Sequence, residues 1–139
     1  MHLLDSDKLT LLFEGHPKII ERLEQLPHDD VGITVVTRAE VLRGRIEYLL
    51  RAADGAHLQR AQELLARTEA FLSKMIVVPV DDQAAAHFDR LRLLKPLRNM
   101  GHADKLIASV ALASKAILVT RNLRHFGKVP GLRIENWMD

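Results

Sequence analysis

Apolar positions follow two rhythms along this chain, and the rhythms alternate. Short contiguous runs, mostly branched, occur at His2 to Leu4, Val31 to Val36, Met75 to Val80, Ala116 to Val119 and Leu132 to Ile134. Runs of that length bounded by polar residues predict buried strands. Between them, apolar residues recur every three or four positions, which predicts helices. These cover Lys8 to Phe13, Pro17 to Leu26, and a pair broken at Asp54-Gly55. In the first of the pair the apolar face is Val41, Leu42, Ile46, Leu49 and Leu50; in the second it is Leu58, Ala61, Leu65, Thr68 and Leu72. Residues 38–73 therefore predict a helical hairpin. Thr37-Arg38-Ala39-Glu40 has capping-box spacing and would open it. Asp81-Asp82 would cap a further helix carrying Ala85, Phe88, Leu91 and Leu94 up to Pro96. From Ala103 a helix carries Leu106, Ile107, Val110, Ala111 and Ser114 amid alanines, apolar nearly all round and so buried. Leu123 to Phe126 forms a short turn. Strands alternating with helices imply an α/β chain with a mainly parallel sheet covered on both faces, and Pro79 puts the end of its strand near a sheet edge.

Composition adds little until charge is mapped by position. The 139 residues, 47% apolar and 27% charged, suit one soluble globular domain over 1–139. No cysteine is present, so thiolate sites and disulfides are excluded. Asp5 and Asp7 interrupt any signal-like run, and no apolar stretch approaches membrane length, so a cytoplasmic location with no membrane contact is expected. Net charge is only +2, yet ten of the twenty cations lie between Arg90 and Arg133 beside a single acid, Asp104. Such a segment fits a polyanion, although a solvated face on ordinary helices explains it equally well.

The acids gain meaning from the predicted topology. In open α/β sheets the functional crevice lies beyond the carboxyl ends of the strands. Asp5 follows the first strand, Glu40 lies in the first helical turn after the second, and Asn122 follows the strand ending at Val119-Thr120. Asp104 opens a buried helix whose N-terminus could reach the same edge, and a carboxylate there needs a helix end, a cation or a metal beside it. Three carboxylates and an amide on one rim would repel one another without a cation, and oxygen-only donors favour Mg2+ or Mn2+ over zinc. Each residue also has a plain structural use: Asp5 or Asp7, Asp104 and Asn122 as helix-terminus groups, and Glu40 as the reciprocal partner of Thr37. Their grouping at one rim is what favours chemistry.

Leu-Leu-Asp-Ser-Asp at the start, Thr-x-x-Glu-Val-Leu-x-Gly at 37–44, Gly-His-Ala-Asp-x-x-Ile-Ala at 101–108, Leu-Val-Thr-Arg-Asn-Leu-Arg-His-Phe from 118 and Val-Pro-Gly-Leu-Arg-Ile-Glu-Asn-Trp to 137 together resemble PIN-domain ribonucleases. The resemblance covers essentially the whole chain and is nearest to the VapC-type toxins of type II toxin–antitoxin pairs. It implies a PIN-like three-layer sandwich, a mainly parallel central sheet flanked by helices, and metal-assisted hydrolysis of RNA phosphodiesters. Asp5, Glu40 and Asp104 would hold Mg2+ or Mn2+. A fourth position, often Asp in that family, is Asn122 here, one formal charge fewer. His125 stands where some relatives carry an acid. Asp7, Thr120 and His125 would orient a ligand or touch substrate, and Arg98, Lys105, Arg121 and Arg124 would bind RNA, tRNA being one candidate. The resemblance also implies a small cognate antitoxin, with the 38–73 hairpin as part of its groove, and a homodimer.

Two other readings stand beside this one. Asp5-Ser6-Asp7 after a strand, with Val77 to Asp82 later, loosely resembles haloacid-dehalogenase-type phosphatases, with Asp5 as nucleophile and Asp7 as acid. A non-catalytic RNA- or protein-binding module of the same fold is encouraged by Asn122. The seven histidines form no His-x-x-x-His pair, so zinc is not expected; His102 alone lies near a candidate acid.

Overall fold

A computed structural model describes residues 1–138; the last residue of the domain expected over 1–139 lies outside the described residues. Five short strands build the sheet: β1 (His2–Leu4), β2 (Val31–Thr34), β3 (Ile76–Val78), β4 (Ile117–Val119) and β5 (Arg133–Glu135). They lie in the order β3-β2-β1-β4-β5, and all four pairings are parallel. β3 is an edge strand, as Pro79 leads one to expect. Gly32 in β2 has a packing reason: a Cβ there would stand 2.8 Å from the carbonyl oxygen of Ile76 on β3.

Helices cover both faces. The connections are α1 (Ser6–Phe13), α2 (Pro17–Glu24), α3 (Val35–Leu50), α4 (Gly55–Leu72), α5 (Asp82–Leu91), α6 (His102–Ala113) and the one-turn α7 (Leu123–Phe126). Adjacent strand residues point to opposite faces, so Leu3 and Leu118 join a core with Leu91, Ile107, Ala111 and Phe126. Leu4, Ile33 and Val119 join another with Leu9, Ile19, Leu72 and Trp137. The result is the three-layer arrangement that the strand and helix rhythm implies.

Two expectations need correction. The run Val31 to Val36 does not stay extended: the Thr34 hydroxyl accepts from the Thr37 amide at 3.0 Å and caps α3, so the chain turns helical at Val35 despite its branched residues. Thr37 is therefore inside the helix, not at its cap, and Glu40 falls in the second turn with no capping duty. The apolar face expected of the hairpin is also not a core face throughout. Ile46, Leu50 and Leu58 are exposed, Leu50 at 78%. Periodicity marks which face is apolar and cannot say whether this chain covers it.

Candidate active site

The site begins with strand register. β1 and β4 run side by side with Leu4 opposite Val119, so the residues that follow, Asp5 and Thr120, emerge together at the carboxyl edge. The Asp5 amide continues the ladder by donating to the Val119 carbonyl at 3.0 Å. Its carboxylate is buried and held at both oxygens, Oδ1 accepting from the Ser6 amide at 2.8 Å and Oδ2 from the Thr120 hydroxyl at 2.8 Å. Asp5 thus caps α1 and at the same time faces the rim. Thr120 also accepts from the Asn122 amide at 3.0 Å, which folds the loop after β4 toward Asp5.

Asp104 lies in the first turn of α6, as its position after Gly101 predicts, and no side chain caps that helix. The carboxylate is turned toward α7, with Oδ2 3.6 Å from His125 Nδ1. Glu40 approaches from α3 and remains exposed to solvent. Asn122 does cap α7: its Oδ1 accepts from the His125 amide at 3.3 Å, and its Nδ2 lies 3.3 Å from His125 Nδ1. Asp7 sits on exposed α1 surface with its carboxylate on the Lys8 amide.

The acids act on one another. Burial pushes the Asp5 carboxyl above the usual aspartate range against the pull of Thr120 and Ser6, and the charges of Asp7 and Asp104 push the same way. Glu40 is raised by partial burial, then by Asp5 and Asp104, with Arg43 opposing. Asp5, Glu40 and Asp104, distant in sequence, therefore share one electrostatic neighbourhood. They do not close into a ready chelate: among the described residues no three His, Asp or Glu side chains are near enough to hold an ion as they stand. Mutual repulsion opposes a tighter cluster unless a cation offsets it.

An open cleft of about 390 Å³ flanks Glu40 and is lined by Ser6, Asp7, Thr10, Glu40, Val41, Gly44 and Arg45. Of these, Ser6, Thr10, Gly44 and Arg45 are not singled out as site residues by the motifs, yet Ser6 and Thr10, and Glu40 and Gly44, are each one helical turn apart and could be paired by that spacing. His102 turns away, packing edge-on against Phe88 at 5.2 Å between ring centroids. Arg98, Arg121 and Arg124 are exposed and Lys105 half-buried.

Comparison with known proteins places the chain, since the model of the PIN domain matches residues 3–132. The chain belongs to the PIN-domain family. Within it, the chain is 38% identical to Ribonuclease VapC2 of Haemophilus influenzae over 142 residues, covering 99% of this chain and 98% of the relative. It is 29% identical to the tRNA(fMet)-specific endonuclease VapC of Salmonella typhimurium over 137 residues, covering 97% and 96%. Among solved structures, VapBC-1 from nontypeable Haemophilus influenzae superposes with a TM-score of 0.78 at 25% identity, over 99% of this chain and 98% of that one. VapBC2 from Rickettsia felis, bound to a DNA fragment from its promoter, gives 0.75 at 25% identity over 98% of each chain. Membership of this PIN family displaces the phosphatase reading, which leaves Glu40 and Asp104 without a part. No helix among the described residues is long and apolar enough to cross a membrane.

Proposed function

We propose that this PIN domain, extending over 1–139, is a divalent-cation-dependent endoribonuclease and the toxin of a toxin–antitoxin pair. The observation that carries the reading is Asp5, a buried carboxylate locked by Thr120 and Ser6 and coupled in charge to Glu40 and Asp104. The donor set fits a hard cation. It is all oxygen, its carboxyls are raised by burial and mutual repulsion, and a positive ion relieves both.

Asp5, Glu40 and Asp104 would hold Mg2+ or Mn2+, which when bound supplies a water of lowered pKa and neutralises charge growing on the phosphate. Thr120 keeps the Asp5 carboxylate aimed at the rim. Asn122 spends its carbonyl on α7, and so contributes by fixing His125 beside Asp104. Arg98, Lys105, Arg121 and Arg124 would take backbone phosphates, contacts that position RNA without choosing a sequence. With 4% aromatic residues the chain has few stacking platforms, which favours recognition of RNA shape. A tRNA is the substrate class suggested by the name of the Salmonella relative.

The toxin role draws on relatives solved as VapBC assemblies. An antitoxin and a second copy of the chain are natural occupants for the apolar surface left open on the 38–73 hairpin. A separate apolar groove of about 240 Å³, lined by Leu12, Leu23, Leu26, Phe71 and Met75, lies at the other end of α4.

The test incubates purified protein with total RNA, with and without Mg2+, beside Glu40→Gln and Asp104→Asn. Discrete cleavage that needs both the ion and the acids is expected. A binding-only module, the reading favoured by Asn122 serving as a cap, would bind RNA and cut nothing. Gly44 offers a separate check, because a Cβ there would meet nothing within 4 Å although the residue lines the cleft. Gly44→Ala is expected to stabilise α3 by about 0.5–1 kcal/mol in thermal melts. Gly44→Leu should weaken RNA binding severalfold by filling the cleft.

A further inference from the structure

A second, smaller pocket of about 70 Å³ adjoins the acidic rim, where the turn at Lys95–Leu97 and the residues after it pack beside α7. It is lined by Pro96, Asn99, Met100, Arg124, His125 and Lys128. We infer that this pocket is a subsite for an RNA backbone phosphate next to the one cleaved; the inference rests on the nuclease reading above.

The lining is selective for an anion. Two cations, an amide and an imidazole face it, and no carboxylate does. Arg124, on α7, and Lys128, in the turn just after it, line the same pocket, where their like charges repel. An anion between them converts that repulsion into attraction. Neither forms an ion pair among the described residues, whereas Arg22, Arg43 and Arg92 each have an acidic partner. The Asn99 side chain likewise has no hydrogen-bond partner among them, leaving its amide to donate.

Composition identifies the part of RNA that fits. No Phe, Tyr or Trp lines the pocket, so a base would find nothing to stack on. His125 joins the two sites, lining this pocket and lying 3.6 Å from Asp104. A phosphate held here would fix the register of the strand relative to the acids while remaining indifferent to sequence.

The experiment uses the uncleaving Asp104→Asn protein and a labelled single-stranded RNA of mixed sequence, with binding measured by anisotropy across a salt series. Lys128→Gln and Arg124→Gln are each expected to weaken binding roughly tenfold and to flatten the salt dependence by about 0.7 in log–log slope, the loss of one phosphate contact. Arg133→Gln, which removes the same charge on β5, should leave the slope unchanged. In the wild-type protein, an uncharged methylphosphonate at one linkage beside the cut should raise KM about as much as Lys128→Gln, and combining the two should add little. Unchanged slopes, no RNA binding by the parent protein, or losses that multiply at every linkage would overturn the subsite. So would inorganic phosphate that saturates the pocket by phosphorus NMR without displacing RNA, since the natural anion would then be free phosphate. Because binding is read without cleavage, RNA that binds with these slopes but is never cut removes the nuclease reading and leaves the pocket standing; cleavage with unchanged slopes does the reverse.

Discussion

Asp5→Asn is expected to raise the melting temperature of the protein in chelator while abolishing RNA cleavage. The two effects share a cause. Asp5 is buried, and burial outweighs the help of Thr120 and Ser6, so its carboxyl is held above its ordinary range. A folded state that binds a proton more tightly than the unfolded chain is most stable when that proton is present. Stability from this group is therefore complete below the ordinary aspartate range and is lost as pH rises through the raised folded value. Asparagine carries no charge to lose, its Oδ1 can still accept from the Ser6 amide while its Nδ2 donates to the Thr120 hydroxyl, and it remains a good N-cap. The melting temperatures of the two proteins should converge in acid and separate as pH rises to neutrality. Cleavage should fall by at least about 100-fold, the upper end of what losing even an outer contact to a ligand costs. Added Mg2+ should raise the melting temperature of the wild-type protein by mass action and leave the variant nearly unmoved. A variant that melts lower than wild type at neutral pH in chelator would contradict the electrostatic account.

How the site was legible depends on which part of the physics was local. Asp5 follows directly from a strand run that stops at a polar residue, and Asp104 from an acid beginning an all-apolar helix; both positions need only neighbours in sequence. Glu40 is different. The motif Thr-x-x-Glu reads as a capping box, and only tertiary packing, which ends β2 at Thr34 and starts α3 at once, shows that Thr34 caps and Glu40 does not. Asn122 shows the opposite: its capping use and its place beside His125 are both real, so a local signal and a site position coincide. The basic bias between Arg90 and Arg133 is plain in the sequence, but its pocket is not. Asn99 and Lys128 meet only because the turn after α5 packs near α7, a contact between segments that no periodicity encodes. The hairpin fails to read correctly for a similar reason, since Ile46 and Leu50 obey the helical rhythm of a core they do not enter.

Thr120→Val is expected to cost about 2 kcal/mol of stability and to move the acid limb of RNA cleavage to higher pH. Thr120 is completely buried, and its hydroxyl serves two elements, donating to Asp5 Oδ2 and accepting from the Asn122 amide. Valine keeps the branched shape and removes both bonds, leaving a buried carboxylate short of a donor and an amide short of an acceptor. A hydrogen bond to a charged group is worth roughly 1.5–3 kcal/mol, and an orphaned buried partner adds to the loss. Thr120 lowers the Asp5 pKa, so without it the carboxyl rises further. Protons then compete with the cation over a higher pH window, and cleavage is lost earlier as the solution is acidified. The stability cost should shrink at low pH, where Asp5 is neutral and the lost bond was weaker. Thr120→Ser keeps the hydroxyl and should restore both the melting temperature and the acid limb to near wild-type values, which a role for the methyl group in packing alone would not produce. Melts and pH–rate profiles of the three proteins decide the matter: a valine variant with an unmoved acid limb would mean that Asp5 is not oriented through Thr120.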